Sequence, residues 1–323
     1  MPFNSVISRS DAAALIPEEV SDAILNDVAA SNPLLSMARR LPNMNRAQQR
    51  MPVMSALATA YFVNGDTGLK QTSEVNWANK YIDAEELAVI VPIPKNVLDD
   101  ADYDIWGQTR PQLVQALNKA IASAVLFGTN IPASWTTNLG AAGLLALCTA
   151  KSHTISLAAY SDLYEATLGE TAAGADGLYM LVEDDGFGVT GNLAHVSMKG
   201  KLRNTRDSDG NPIFKTTMQD VSRYELDGAP IMFPTDGSMV AASALMFSGQ
   251  WDQLVYSMRQ DITYMIADQA VIQDGAGNII YNLFQQDMVA LRATMRLGFA
   301  LPNPINRMNE TEATRCPFAA MTA

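Results

Sequence analysis

Residues of types that do chemistry are present in this sequence, but their spacing suits almost none of it. His153 and His195 are the two histidines. Neither stands in an HExxH or similar arrangement, so neither reads as a metal ligand or a paired base. Cys148 and Cys316 lie far apart with no CxxC spacing, which points away from a disulfide framework or a zinc knuckle. Asp207-Ser208-Asp209-Gly210-Asn211 opens like a calcium loop. Its twelfth position, where a bidentate Glu is required, is Met218, so a turn after a helix is the simpler reading. Glu183-Asp184-Asp185 and Glu85-Glu86 place carboxylates together, as an acid–base pair would need. Solvated turns account for both. Gly186-Phe187-Gly188 and Gly275-Ala276-Gly277 are bare loops, and no GxSxG elbow, phosphate loop or dinucleotide fingerprint is present. Trp77 and Tyr81 have only Lys80 as a basic neighbour, too little charge for a single-strand stacking site. No catalytic residue, cofactor or metal is therefore expected. An enzyme with an unrecognised site stays open as an alternative.

The elements that such residues would have to sit on are more informative. The chain has 323 residues, 48% hydrophobic and 17% charged, with net charge 22 − 34 = −12. That composition is globular, with no basic footprint for duplex binding. The acidic balance would repel a nucleic acid that the protein merely encloses, or only keep the protein soluble. An inward-facing share of that charge is expected. No basic n-region, long apolar run or internal repeat is visible, so neither a signal peptide nor a membrane span is expected.

Residues 1–16 read as a flexible arm. Pro17 then starts a helix with Val20, Ile24, Leu25 and Val28 on one face, broken at Asn32-Pro33. Leu34, Leu35 and Met37 form a short second piece. Met51–Val63 and Leu69–Asp83 read as two extended arms around Asn64-Gly65-Asp66-Thr67-Gly68, a strong turn signal. The arms carry Thr59, Thr72, Ser73, Asn76, Asn79 and Lys80 and few large apolar groups. Isolated ribbons of this kind are marginal in water, so this one must lie on its own body or on a neighbouring subunit.

Leu87-Ala88-Val89-Ile90-Val91 reads as a short buried strand ended by Pro92 and Pro94. A long helix is expected over 105–127, roughly 35 Å at about 1.5 Å per residue. Asp104 is its N-cap, Gly128 its stop, and Pro111 either a kink or the true start. Tyr160–Leu168 predicts a short helix capped by Ser161. Leu178–Val182 predicts a buried strand, and Leu193–Arg206 a helix. Leu254–Ile266 alternates as a half-buried strand, Asp274–Asn278 is a turn, and Val289–Leu301 has every second residue apolar. The last would reach roughly 43 Å as one strand, far beyond the usual length.

In this order, these features resemble the major capsid proteins of tailed phages, the Johnson fold, over about Ile16 to Ala319. The helix after Ile16-Pro17 resembles that family's N-terminal arm junction, the ribbon its E-loop, and 105–127 with Phe127-Gly128 its spine helix. Leu202 with Asp207-Ser208-Asp209-Gly210 is similar to its "KDxxG" turn. Gly249-Gln250-Trp251-Asp252 through Tyr264 resembles its "GDFS" strand pair. Leu283-Phe284-Gln285-Gln286-Asp287 through Arg296 resembles its closing strand with two spaced arginines.

The resemblance implies an α+β fold in five parts: 1–49 arm and first helices, 50–85 E-loop, 86–139 P-domain with spine helix, 140–245 A-domain, and 246–323 returning to the P-domain. It implies pentamers and hexamers that tile an icosahedral shell around DNA in a virion, made in a host bacterial cytoplasm. Asn64, Gly65, Asp66, Thr67, Gly68, Lys70 and Trp77 would contact the neighbouring subunit. A separate scaffolding protein, a portal and a decoration protein are implied partners. Some relatives join an E-loop Lys to a P-domain Asn with a nearby Glu. Lys70, Lys80 and Asn282 are present, but Leu283–Leu301 contains no Glu, so no such cross-link is expected. An encapsulin-type shell around cargo enzymes is the alternative with the same fold.

Overall fold

The computed structural model describes residues 33–63, 68–100, 105–160, 162–169, 176–206, 209–214 and 224–323. The expected arm and first helix, the turn Asn64–Thr67, the cap Asp104, Ser161, and Asp207-Ser208 lie outside them.

The structure is built on two sheets that share a core. The first is four-stranded, in the order β1 (Arg39–Arg40), β10 (Val255–Ala267), β13 (Met288–Ala300), β4 (Glu85–Pro94). β10 and β13 are 13 residues each and run antiparallel from Val255↔Ala300 to Ala267↔Ala290. The alternation in β13 works as the sequence reading requires. Leu291, Ala293, Met295, Leu297 and Phe299 are buried in the main core, while Arg292 between them is exposed. Against this face lies α3, Ile105–Phe127, which supplies Leu113, Leu117, Ile121 and Ala124. It runs through Pro111 and ends where Gly128 takes φ 71°, the left-handed stop that glycine adopts without a Cβ penalty. Added at Gly128, a Cβ would also fall 2.2 Å from the Ala142 carbonyl oxygen.

β4 departs from its expected form. It runs to Pro94, through Pro92, and is half-exposed rather than buried. The reason is its place at the sheet edge, where a proline lacking N–H leaves no ladder bond unmade. Leu87, Val89 and Val91 face the core, and Ile90 faces out.

The second sheet is six-stranded: β5 (Thr154–Ser156), β14 (Phe318–Thr322), β9 (Met246–Gly249), β6 (Gly191–Ala194), β8 (Ala229–Met232), β7 (Glu225–Leu226). Its centre is buried on both faces. Leu193, Phe247, Phe318 and Ala320 point into the main core. Ala194, Met246, Ala319 and Met321 point into a second core. Two-sided burial explains why Phe318-Ala319-Ala320-Met321 is continuously apolar rather than alternating. The segment 246–323 thus divides: β10 and β13 join the first sheet, β9 and β14 the second.

The short helices pack around these sheets: α1 (Pro33–Met37), α2 (Lys95–Asp99), α4 (Ala133–Leu139), α5 (Leu144–Ala150), α6 (Leu163–Leu168), α7 (Leu178–Asp184) and α8 (Met198–Asn204). Three of them correct the sequence reading. Leu178–Val182 is helical, with Leu178, Tyr179 and Val182 buried and Met180 exposed. A short apolar run does not distinguish a buried strand from a helix. Leu193–Arg206 divides into the end of β6 and then α8. The cap of α6 is Asp162, whose side chain accepts from the Glu165 N–H.

Candidate functional site

The candidate site is the ribbon. β2 (Gln48–Ala56) and β3 (Asn76–Asp83) pair antiparallel from Gln48↔Asp83 to Ala56↔Asn76. Beyond Ala56 the arms lose the regular ladder but stay adjacent. The Thr59 N–H donates to Ser73 Oγ at 2.7 Å, and Tyr61 OH to the Gln71 carbonyl at 2.8 Å. Gly68, Lys70 and Trp77 all lie on this ribbon, Lys70 and Trp77 exposed. Asn64, Gly65, Asp66 and Thr67 lie outside the described residues. The ribbon is less purely polar than expected. Phe62 is 103% exposed, Leu69 90% and Trp77 67%. Exposed side chains of this size are of the kind found at interaction surfaces.

The root of the ribbon is fixed. Ile82 is 0% exposed and packs with Met44, Ala84, Val255 and Ala300. Asp83 accepts from Trp135 Nε1 through its carbonyl and from Asn138 Nδ2 through its carboxylate. Gly298 on β13 lets the two backbones meet: a Cβ there would lie 2.4 Å from the Asp83 carbonyl oxygen and 2.6 Å from Ile82 Cγ2.

Two further contacts reach the ribbon from residues 301–317. Lys80 Nζ meets Glu312 Oε1 at 2.5 Å, and Arg307 Nη2 donates to the Ala58 carbonyl at 2.9 Å. Lys80 holds the Glu312 carboxyl below the usual carboxylate range, first through the hydrogen bond and then through its charge. Lys151 Nζ donates to the carbonyls of Glu312 and Ala313.

Residues 301–317 are themselves pinned by a buried polar network. Arg315, 2% exposed, donates to Asn303 Oδ1, the Asn303 carbonyl and the Asn309 carbonyl. Asp185 accepts from Asn309 Nδ2 at 2.7 Å and from the Cys316 N–H at 2.5 Å, and its carbonyl accepts from Asn306 Nδ2. His153 Nε2 lies 2.9 Å from Asp185 Oδ2 at ion-pair distance, though without hydrogen-bond alignment. The solvated-turn reading of Asp185 is therefore corrected: it is 7% exposed. Sequence reasoning could not find this network, because Asp185 and its donor partners Asn306, Asn309 and Cys316 stand more than a hundred residues apart along the chain.

A histidine, a carboxylate and two cysteines in one neighbourhood have the composition of a nucleophilic triad. The geometry does not assemble one. His153 Nδ1 is taken by the Lys151 carbonyl at 2.8 Å and Nε2 faces Asp185, so neither ring nitrogen faces a thiol. Cys148 and Cys316 are buried, and the Cys148 thiol donates to the Phe318 carbonyl. Its pKa is pushed well up, first by the hydrogen bond with Cys316 and then by burial. A thiol so placed is a poor nucleophile. Burial likewise pushes up the Tyr179 phenol, which is held between Asn192 and the Leu226 carbonyl. His195 Nδ1 pairs locally with Ser197. Among the described residues, no cluster of His, Cys, Asp and Glu could hold a metal ion, and no helix is long and apolar enough to cross a membrane.

A second exposed surface lies at the far end of the four-stranded sheet. There β10 ends in Tyr264, Met265 and Ile266, and the hairpin β11 (Val271–Gln273) and β12 (Ile279–Asn282) follows. Ile279 is 62% exposed, Ile280 49% and, just beyond, Phe284 76%.

This chain is similar to known phage proteins. The major capsid protein of Staphylococcus phage 80alpha is 24% identical over 299 residues, covering 91% of this chain and 84% of that protein. A solved structure from Microbacterium phage Oxtober96 superposes with TM-score 0.82 at 31% identity, covering 98% of this chain and 99% of that one. One from Mycobacterium phage Adephagia gives 0.79 at 30% identity, covering 98% of each chain. The phage capsid family matches residues 12–306, so this chain, folded around a spine helix, two sheets and a projecting ribbon, belongs to that family and is a major capsid protein of a tailed phage.

Proposed function

We propose that copies of this chain close into rings of five and six that tile an icosahedral shell around double-stranded DNA, with the ribbon laid across the adjoining copy. The carrying observation is the ribbon itself. Its root is buried in its own subunit, while Phe62, Leu69 and Trp77 stand in water. A heterologous interface of this kind, repeated by rotation, closes a ring. The residues Asn64–Gly68, Lys70 and Trp77 are its contact set. The apolar far end at Ile279, Ile280 and Phe284 supplies a second contact, between copies that meet at a sheet end. In this reading the P-domain is the four-stranded sheet with α3, and the A-domain is the six-stranded sheet with its helices, including β9 and β14. The role is architectural, with no turnover. The subunit is made in the host cytoplasm, and a scaffolding protein, portal and decoration protein are the partners the family resemblance implies.

Electron microscopy of the purified protein tests this. Hollow shells are expected. Replacing residues 60–75 by a short Gly-Ser link is expected to leave a folded subunit that assembles poorly. Shells at normal yield from that variant would remove the ribbon from assembly.

A further inference from the structure

We propose that residues 301–317 form a bracket that sets the tilt of the ribbon, with Lys80–Glu312 and Arg307–Ala58 as its releasable contacts and the Asp185–Arg315 network as its fixed end. The inference rests on the shell reading for its purpose, but not for its geometry.

The ribbon is anchored unequally along its length. At the root, the ribbon is held by buried apolar packing and by the tight approach of Gly298 to Asp83. Such an anchor fixes position, yet a two-stranded ribbon beyond it has no third strand to resist bending. Further out, the contacts to the body are polar and exposed. The Lys80 and Glu312 side chains are 33% and 61% exposed, and Arg307 holds Ala58 from the surface. The body end of the bracket is the opposite. Arg315 makes three hydrogen bonds inside the protein, and Asp185 is a buried acceptor for Asn309 and Cys316. An exposed ion pair contributes little to stability and is readily exchanged, whereas a buried network holds one arrangement. A rigid support joined to a lever through weak contacts lets the lever take a new angle without unfolding anything. Lys151 and Arg315 also face Glu312 electrostatically, and Glu310 lines the same small cleft, so the local charge stays balanced when Lys80 departs.

The test measures the tilt directly. Spin labels go on Thr72→Cys in the ribbon and Thr149→Cys on α5, the two native thiols being buried, and the distance distribution is read on unassembled subunits. Wild type is expected to give a narrow distribution. Glu312→Lys with Arg307→Ala is expected to shift and broaden it, and Glu312→Gln to broaden it less. The reversed pair Lys80→Glu with Glu312→Lys is expected to bring it back toward wild type. An unchanged distribution in the Glu312→Lys, Arg307→Ala variant, with melting temperature retained, overturns the bracket. So does a reversed pair that stays as broad as Glu312→Lys alone, measured beside it with Arg307 intact. Shell formation is scored separately by microscopy. Its absence in wild type would sink the shell reading and leave the distance result standing.

Discussion

Single residues decide where this fold tolerates no change. Gly298 is such a position. A methyl added there meets the Asp83 carbonyl oxygen at 2.4 Å, and neither strand can retreat without opening the ribbon root. Gly298→Ala is expected to cost about 1–3 kcal/mol, read as a lowered midpoint in urea. Asp185 is the second. Its carboxylate satisfies Asn309 Nδ2 and the Cys316 N–H and faces His153. Asp185→Ala leaves the buried Cys316 N–H without its acceptor and Asn309 Nδ2 with Thr314 Oγ1 alone, at an expected cost of about 1–3 kcal/mol. Asp185→Asn should cost less, since it keeps the shape and one acceptor oxygen. The cysteines give a third measurement. Cys148 and Cys316 should resist alkylation in the folded subunit and react together in denaturant, because the thiolate is the reactive form and burial opposes it.

At the scale of elements, the bracket carries a pH prediction. The Glu312 carboxyl is held below its ordinary range in the folded state by Lys80. The Lys80–Glu312 contact is therefore fully present above the ordinary glutamate value of about 4.3, and is lost as the pH falls through the lower, folded value. The distance distribution between ribbon and body should stay narrow from neutral pH down to that range and broaden only below it. Broadening near neutral pH would point to a different group. Elements also show where local sequence misleads. Val289–Leu301 was readable because one face meets the core and the other does not, so its alternation is a direct print of its surroundings. Leu178–Val182 was not, because a run of five apolar residues satisfies a helix and a buried strand equally. The prolines of β4 argued for a stop, yet an edge strand is paired on one side only, against β13, and its open side tolerates a missing N–H.

At the scale of the whole molecule, exposed apolar surface is the quantity to explain. Phe62, Leu69 and Trp77 on the ribbon and Ile279, Ile280 and Phe284 at the sheet end lie in water in the subunit. Burial of such side chains contributes about 25 cal/mol per Å², so in the proposed shell both surfaces would favour association of copies. Replacing Ile279, Ile280 and Phe284 with Ser is expected to leave the melting temperature of the subunit nearly unchanged and to lower shell yield by sedimentation. A large drop in melting temperature would instead make these residues part of the subunit's own core.

The sequence by itself determined the elements whose pattern is local: the helix Ile105–Phe127 with its glycine stop, the two long strands as strands, the turn at Asp274–Asn278, and the existence of a ribbon. Each is written in a periodicity or a turn signal that spans neighbouring residues. Only the tertiary structure decided which strands share a sheet, that β9 and β14 complete the six-stranded one, and that Asp185, His153, Asn309 and Arg315 meet. It alone placed Glu312 beside Lys80. Those are pairings between residues far apart in the chain, and a partner brought near by folding leaves no mark on the residues beside it in sequence.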